Sequence, residues 1–401
     1  MASQKTSSRR ISAGANLTAA NRTLEAVFSR IFRSQSIYFY QLLGITLFLV
    51  VFGLVMVLSA SEIDSFKATN NSFATFFKQA GIGLVGLAVM SIASLTSLNW
   101  LRSKARLGYL ITMGLQLAVF FIGTKINGNK NWIRFAGMSF QPSEFLKIAM
   151  VIHVAAFLVL MRNQLDDSRI WWRAGIMFGA AMFLVIIGGD LGTVLIMLAM
   201  ALGMLALAGL PTKLMRTIVL GITIVVPVVM SFSASRIGRI TAWLNPNAPD
   251  PNGYNWQAEH GMWALSAGRI FGAGLGESKM KWSWIPEVEN DFIFAVIGEE
   301  LGLVGALVVI ALFVALAITF FKIWKRTADD FSRHVVAGIM MWIIFQALVN
   351  IAVVLRLLPV LGVPLPLISA GGSSLFTTLL AIGLVLAVER DNHANPYRRI
   401  R

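Results

Sequence analysis

Trp282-Ser283-Trp284-Ile285-Pro286-Glu287-Val288-Glu289-Asn290-Asp291-Phe292-Ile293-Phe294-Ala295-Val296-Ile297-Gly298-Glu299-Glu300-Leu301-Gly302 leads from a tryptophan-rich polar segment into an apolar run that continues to Phe321. Asp291 opens that run, and only Glu299 and Glu300 interrupt it. An apolar stretch of this length reads as a membrane-spanning helix. An ionisable side chain at its boundary is expensive, which makes Asp291 a candidate functional group. Capping is the competing explanation: an aspartate at a helix start accepts from free backbone N–H groups, and the residues alone leave the two readings level.

Outward from that stretch the whole chain has the same character. It is 57% hydrophobic and 13% charged, with a mean hydropathy of +0.73. Soluble domains carry about 25% charged residues, so an integral membrane protein is indicated. The formal net charge of +15 reads as cytoplasmic loops and contacts with anionic membrane lipids, not as nucleic-acid binding. Cysteine is absent, which excludes disulfides and thiolate metal sites. The basic N-terminal arm is followed by an apolar run too long for a cleaved signal, so no signal peptide is expected.

Ten spans are predicted, at about 38–60, 79–99, 107–124, 144–161, 174–189, 191–210, 215–232, 292–321, 335–356 and 373–388. The expected class is therefore all-α. Bases cluster in alternate loops: the arm; Arg102, Lys104 and Arg106; Arg162, Arg169 and Arg173; Lys213 and Arg216; Lys322, Lys325, Arg326 and Arg333; and the tail from Arg390 to Arg401. The positive-inside rule places all of these, and both termini, in the cytoplasm. The organisation expected is a basic arm over 1–37, a polytopic domain over 38–388 and a basic tail over 389–401. On the outer face lie polar loops at 62–78 and 125–143, a long loop at 233–291 and a Pro/Gly-rich loop at 357–372. The long loop holds Trp243, Trp256, Trp263, Trp282 and Trp284, and residues 255–270 read as an interfacial helix.

Three motifs carry further chemistry. Gly274-Leu275-Gly276-Glu277-Ser278-Lys279 looks phosphate-binding but lacks P-loop spacing, so a glycine turn is the reading favoured. Gln141-Pro142-Ser143-Glu144-Phe145-Leu146-Lys147 starts a helix, with Glu144 and Lys147 on one face where they can pair, for structure or for substrate. Val363-Pro364-Leu365-Pro366-Leu367-Ile368-Ser369-Ala370-Gly371-Gly372-Ser373-Ser374 is irregular backbone running into a helix start that suits an anion, or a plain re-entrant turn. His153 reads as a packing residue within the fourth span, and the histidines form no metal cluster.

In these motifs and their order the chain resembles the SEDS family (shape, elongation, division and sporulation). The resemblance rests on Asn127-Gly128, Trp132-Ile133, Gln141-Pro142-Ser143-Glu144 with Lys147, Asp190-Leu191-Gly192-Thr193, Gly272, Gly274-Leu275-Gly276 with Ser278, Pro286-Glu287, Asp291-Phe292-Ile293-Phe294, Glu299-Glu300-Leu301-Gly302, Leu358-Pro359, Pro364-Leu365-Pro366 and Gly371-Gly372-Ser373-Ser374. Ile297-Gly298-Glu299-Glu300-Leu301-Gly302 looks more like the division branch than the elongation branch. Departures are Glu289-Asn290 where His-Thr is usual, Asn131 before Trp132 where Arg is common, His260-Gly261 in place of Gln-Ser, and Ala370 in place of Tyr.

The resemblance implies a peptidoglycan glycosyltransferase that polymerises lipid II at the outer face of the bacterial cytoplasmic membrane, at the division septum. A sugar hydroxyl is a poor nucleophile and is helped by a carboxylate base, here Asp291. The diphosphate leaving group needs cations instead of a second acid. By the same resemblance the substrate contacts are Lys130, Trp132, Arg134, Glu144, Lys147, Gln257, Lys279, Lys281, Ser369 and Ser373. A divalent cation, Mg or Mn, is compatible with the diphosphate. The implied partners are a class B penicillin-binding transpeptidase and other divisome membrane proteins. A lipid II flippase, a scaffold for a partner synthase and an elongation-type polymerase are the alternatives.

Overall fold

The computed structural model of the chain describes residues 35–394, apart from 127–128, 136–137, 232–233, 248–249, 251–252 and 283. Most of the expected N-terminal arm and half of the expected tail lie outside the described residues. The helices are α1 (Ile37–Thr69), α2 (Ala74–Ser94), α3 (Leu98–Ile122), α4 (Pro142–Leu160), α5 (Ser168–Ile187), α6 (Leu191–Leu207), α7 (Thr212–Ser231), α8 (Ala234–Leu244), α9 (Trp256–Gly268), α10 (Ile293–Arg326), α11 (Asp330–Val354) and α12 (Gly372–Ala394). Between α3 and α4 run three short strands, β1 (Thr124–Ile126), β2 (Asn129–Phe135) and β3 (Met138–Phe140).

Eight of the described helices are long and apolar enough to cross a membrane: α1 to α5 and α10 to α12. The ten-span expectation needs α6, apolar but of 17 residues, and α7 as the remaining two. Helices α4, α11 and α12 form the interior, with α2 lying along α12, α3 against α4 and α6 against α11. The outer helices turn apolar side chains away from the protein: Leu107, Leu110, Ile111 and Phe121 on α3, and Leu303, Leu307, Val314, Ile318 and Phe321 on α10, are exposed. Such faces require lipid as their solvent.

Several expected boundaries move. Helix α1 continues past the apolar run through Glu62 and Lys67 to Asn70, whose left-handed backbone (φ 56°) ends it, so the loop expected at 62–78 shrinks to a turn. The Ser65 hydroxyl closes that turn, donating to Asn71 O at 2.8 Å and accepting from Thr75 N at 3.2 Å. Arg102, Lys104 and Arg106 stand in the first turns of α3, not in a loop. The chain is all-α in class as expected, and the polar loop expected at 125–143 carries a small antiparallel sheet, β1-β2-β3, pairing Thr124 with Trp132 and Ile133 with Phe140. The long loop expected at 233–291 contains two helices, α8 and α9, of which α9 coincides with the interfacial helix expected over 255–270.

The opening stretch holds the decisive break. Residues from Ile293 to Glu300 are all buried, whereas Leu303, Val304, Leu307 and Val308 face outward. The change falls at Gly302, whose backbone (φ 68°, ψ −166°) is not helical. Residues 269–274 supply the missing partners: Leu303 N and Val304 N donate to the Arg269 and Ile270 carbonyls, and Ala273 N and Gly274 N donate to those of Glu299 and Glu300. A Cβ on Gly302 would lie 2.3 Å from Gly272 N, so only glycine fits there.

Candidate active site

A tight turn delivers Asp291 to α10. Glu287 takes a left-handed backbone (φ 55°), and its carbonyl accepts from Asn290 N at 3.0 Å and Asp291 N at 3.2 Å. The residue flanking α10 is Phe292, and no side chain caps the helix. The capping role for Asp291 is therefore not taken up. Its carboxylate is partly buried and makes no hydrogen bond to another described residue.

The backbone around that free carboxylate is held firmly. Asn350 Nδ2 donates to Asp291 O at 2.8 Å and to Val363 O at 2.7 Å, and Ala370 N donates to Glu289 O at 2.8 Å. The segment before α10 is thus fastened to the Pro/Gly-rich loop between α11 and α12. Gly362 lies so close that a Cβ there would be 3.4 Å from Asp291 Oδ2, and its backbone is left-handed (φ 68°). Burial, and then the negative charge of Glu287, push the Asp291 carboxyl up to about 7; the Arg239 guanidinium acts against them, while Asp190 and Glu289 add smaller upward pushes. A carboxylate poised near neutrality suits proton transfer.

Sequence reasoning passed over Arg239 and Arg236. Both stand on α8, three residues apart and so on one face. Arg236 Nη2 donates to Gly189 O at 3.0 Å and Arg239 Nη1 to Val360 O at 3.4 Å. They bridge the α5–α6 turn and the loop after α11. The signal was present as paired bases in an amphipathic stretch, but 233–291 read as loop. Asp190, in the resemblance yet not among the site residues, caps α6 by accepting from Thr193 N at 2.9 Å, and it accepts from Gln141 Nε2 at 2.9 Å. Burial raises its pKa.

Glu144 and Lys147 form a buried pair at 2.8 Å within the bundle. Lys147 Nζ also reaches Gln346 Oε1 at 3.3 Å and lies 4.4 Å from the centre of the Trp342 ring. Thr377 donates to the other Glu144 oxygen at 3.0 Å. Ser373 Oγ accepts from Gln141 N at 3.2 Å, joining β3 to the start of α12. Ser369 Oγ accepts from Leu365 N at 2.8 Å and closes a turn of the loop.

The other expected contacts are scattered. Lys130 Nζ donates to Phe120 O at 2.5 Å, at the end of α3. Trp132 and Arg134 lie on β2, Arg134 exposed. Gln257 ties α9 to Pro286 O at 2.9 Å, five residues before Asp291. Lys279 is exposed, but Lys281 is buried, donating to Gly276 O at 2.6 Å and pairing with Glu62 at 3.4 Å. The glycine-rich turn does enclose an anion, the chain's own: Glu299 accepts from Ser278 Oγ at 2.5 Å and Lys279 N at 2.9 Å. The cation whose charge reaches Asp291 is Arg239. Among the described residues no group of three His, Asp or Glu side chains could by itself hold a metal ion.

A helical bundle with lipid-facing outer helices, and one carboxyl raised toward neutrality where two irregular loops meet, is a multi-pass membrane protein. Its sequence matches, over residues 40–394, the family described as "Cell cycle protein", which groups FtsW, RodA and SpoVE. The chain belongs to that family. It is 38% identical over 356 residues to "Probable peptidoglycan glycosyltransferase FtsW" of Mycobacterium tuberculosis, covering 88% of this chain and 68% of that one. It is 36% identical to "Stage V sporulation protein E" of Bacillus subtilis, covering 86% and 95%. In fold it is similar to a chain of a peptidoglycan synthase complex solved for the coordination of polymerization and crosslinking (TM-score 0.72, 24% identity, 90% and 99% covered). It is also similar to the rod shape determining protein RodA of Thermus thermophilus (TM-score 0.67, 23% identity, 90% and 99% covered).

Proposed function

We propose that the chain is a peptidoglycan glycosyltransferase that polymerises lipid II at the outer face of the cytoplasmic membrane, with Asp291 as general base. The observation that carries this is the Asp291 carboxyl: uncommitted to any cap, held close to Gly362 of the facing loop, pushed to about 7, and within reach of the Arg239 charge. In the reaction the acceptor sugar's hydroxyl passes its proton to Asp291 as its oxygen bonds to the donor's anomeric carbon. The bond from that carbon to the lipid diphosphate breaks, and the electron pair leaves with the diphosphate. We assign the neutralising cations to Arg239 and Arg236, with exposed Arg134 and Lys279 further out. Lys281, internally paired, is given no such role.

The reading includes ten spans with both termini in the cytoplasm, which puts Asp291 outside. Four relatives named FtsW, at 34–38% identity, support a septal role. The partner proposed is a transpeptidase of the class B penicillin-binding type, working with other divisome membrane proteins. The purified chain, given lipid II in detergent, is expected to make glycan polymer. Absence of polymer from a folded, lipid II-binding preparation would contradict the enzyme and leave transport as the reading.

A further inference from the structure

We infer that Asn350 is a positioning residue for Asp291, a proposal that rests on Asp291 being the base. Asn350 is 1% exposed, about one turn before the C-terminal end of α11. Its amide nitrogen has two hydrogens, and both are spent, on Asp291 O and on Val363 O. It joins the segment that carries the carboxylate to the loop that packs against it.

Asparagine is a poor helix former, and an apolar side chain would serve a bundle interior better. The site is costly in a second way. Asn350 Oδ1 is buried without a hydrogen-bond partner, which destabilises the fold. A residue kept only for packing has no reason to carry that cost. Gln346, one turn earlier, follows the same pattern with its acceptor satisfied: Nε2 donates to Pro364 O at 2.9 Å, and Oε1 accepts from Trp342 Nε1 at 2.8 Å and from Lys147. One face of α11 therefore pins two successive carbonyls of the irregular loop, and of the two amides only Asn350 also holds the residue bearing the base.

What this fixes is the gap between Asp291 Oδ2 and Gly362. The space there would be filled by a single methyl group on Gly362, so a small shift of either strand of backbone changes both the burial of the carboxylate and its distance from Arg239. Displacement by about 1 Å can cost 100-fold in rate.

The experiment measures lipid II polymerisation by the full chain, with kcat, KM and the pH–rate profile, for Asn350→Leu, Asn350→Ser and Asp291→Asn. Leucine keeps the branching at Cγ, though it is larger, and removes both donors; serine, smaller than asparagine, keeps one. Asn350→Leu is expected to lower kcat by about 10- to 100-fold with KM within about threefold, and to displace the acid limb of the profile. Asn350→Ser is expected to fall between Leu and wild type, and it is the variant read if Leu does not fold. Near wild-type kcat in the folded Asn350 variants, or a loss with the acid limb unmoved, overturns the inference while an inactive Asp291→Asn leaves the base intact. A fully active Asp291→Asn overturns both.

Discussion

At the residue scale the account turns on carboxylates placed where water does not reach them freely. Asp291 is the acid whose environment predicts a pH dependence. Its carboxyl is raised from 3.8 to about 7, so the basic form fills as pH rises, and the polymerisation rate should climb through about pH 7. Stability runs the other way. Between those two values the folded chain holds a proton that the unfolded chain has released. This group therefore destabilises the fold progressively as pH rises through the window, with its full cost present above about 7. Asp291→Asn should accordingly unfold at higher temperature than wild type at pH 8, with the difference vanishing near pH 3, as thermal unfolding in detergent would record. The buried Glu144–Lys147 pair makes the opposite prediction. Lys147→Met leaves an uncompensated carboxylate beside Thr377 and should cost about 3–5 kcal/mol, and adding Glu144→Gln should restore part of it.

At the element scale, what was legible followed from length. Runs of about 20 apolar residues located the eight helices long enough to cross a membrane, and α9 emerged within two residues of the helix expected over 255–270 from its tryptophans. The β1-β2-β3 sheet was not legible, because a seven-residue strand such as β2 leaves no mark on a hydropathy reading tuned to bilayer thickness. The surroundings of the individual bases were not legible for a related reason. Lys281 and Arg239 both look like outer-loop bases in the sequence, and only packing separates the lysine drawn in toward Glu62 from the arginine whose charge reaches Asp291. Asn350 gave no signal, since an asparagine in an apolar helix says nothing of the carbonyls it will meet. The break in α10 depends on Glu299 gathering the turn around Ser278. Glu299→Ala should cost about 1–3 kcal/mol and expose residues 274–281 to protease, as limited proteolysis against thermal stability would measure.

At the scale of the whole molecule, interior helices α4, α11 and α12 carry the polar network, and the outer helices isolate it from lipid. The loop between α11 and α12 and the segment before α10 meet at one end of that core, which is why Asp291 and Gly362, 71 positions apart in sequence, face one another. Orientation is open to direct test because the chain has no cysteine of its own. A single cysteine at exposed Ser266 should label from outside intact cells, and one at exposed Ser168 only after permeabilisation; the reverse pattern would invert the bundle. The most direct test of the central claim is polymer formation from lipid II by purified Asp291→Asn beside wild type at pH 8. Asparagine keeps the shape of the side chain and caps a helix about as well as aspartate, but it cannot accept the hydroxyl proton. The account predicts a loss of roughly 100- to 10,000-fold with lipid II binding preserved; an asparagine variant that polymerises at close to the wild-type rate would contradict it.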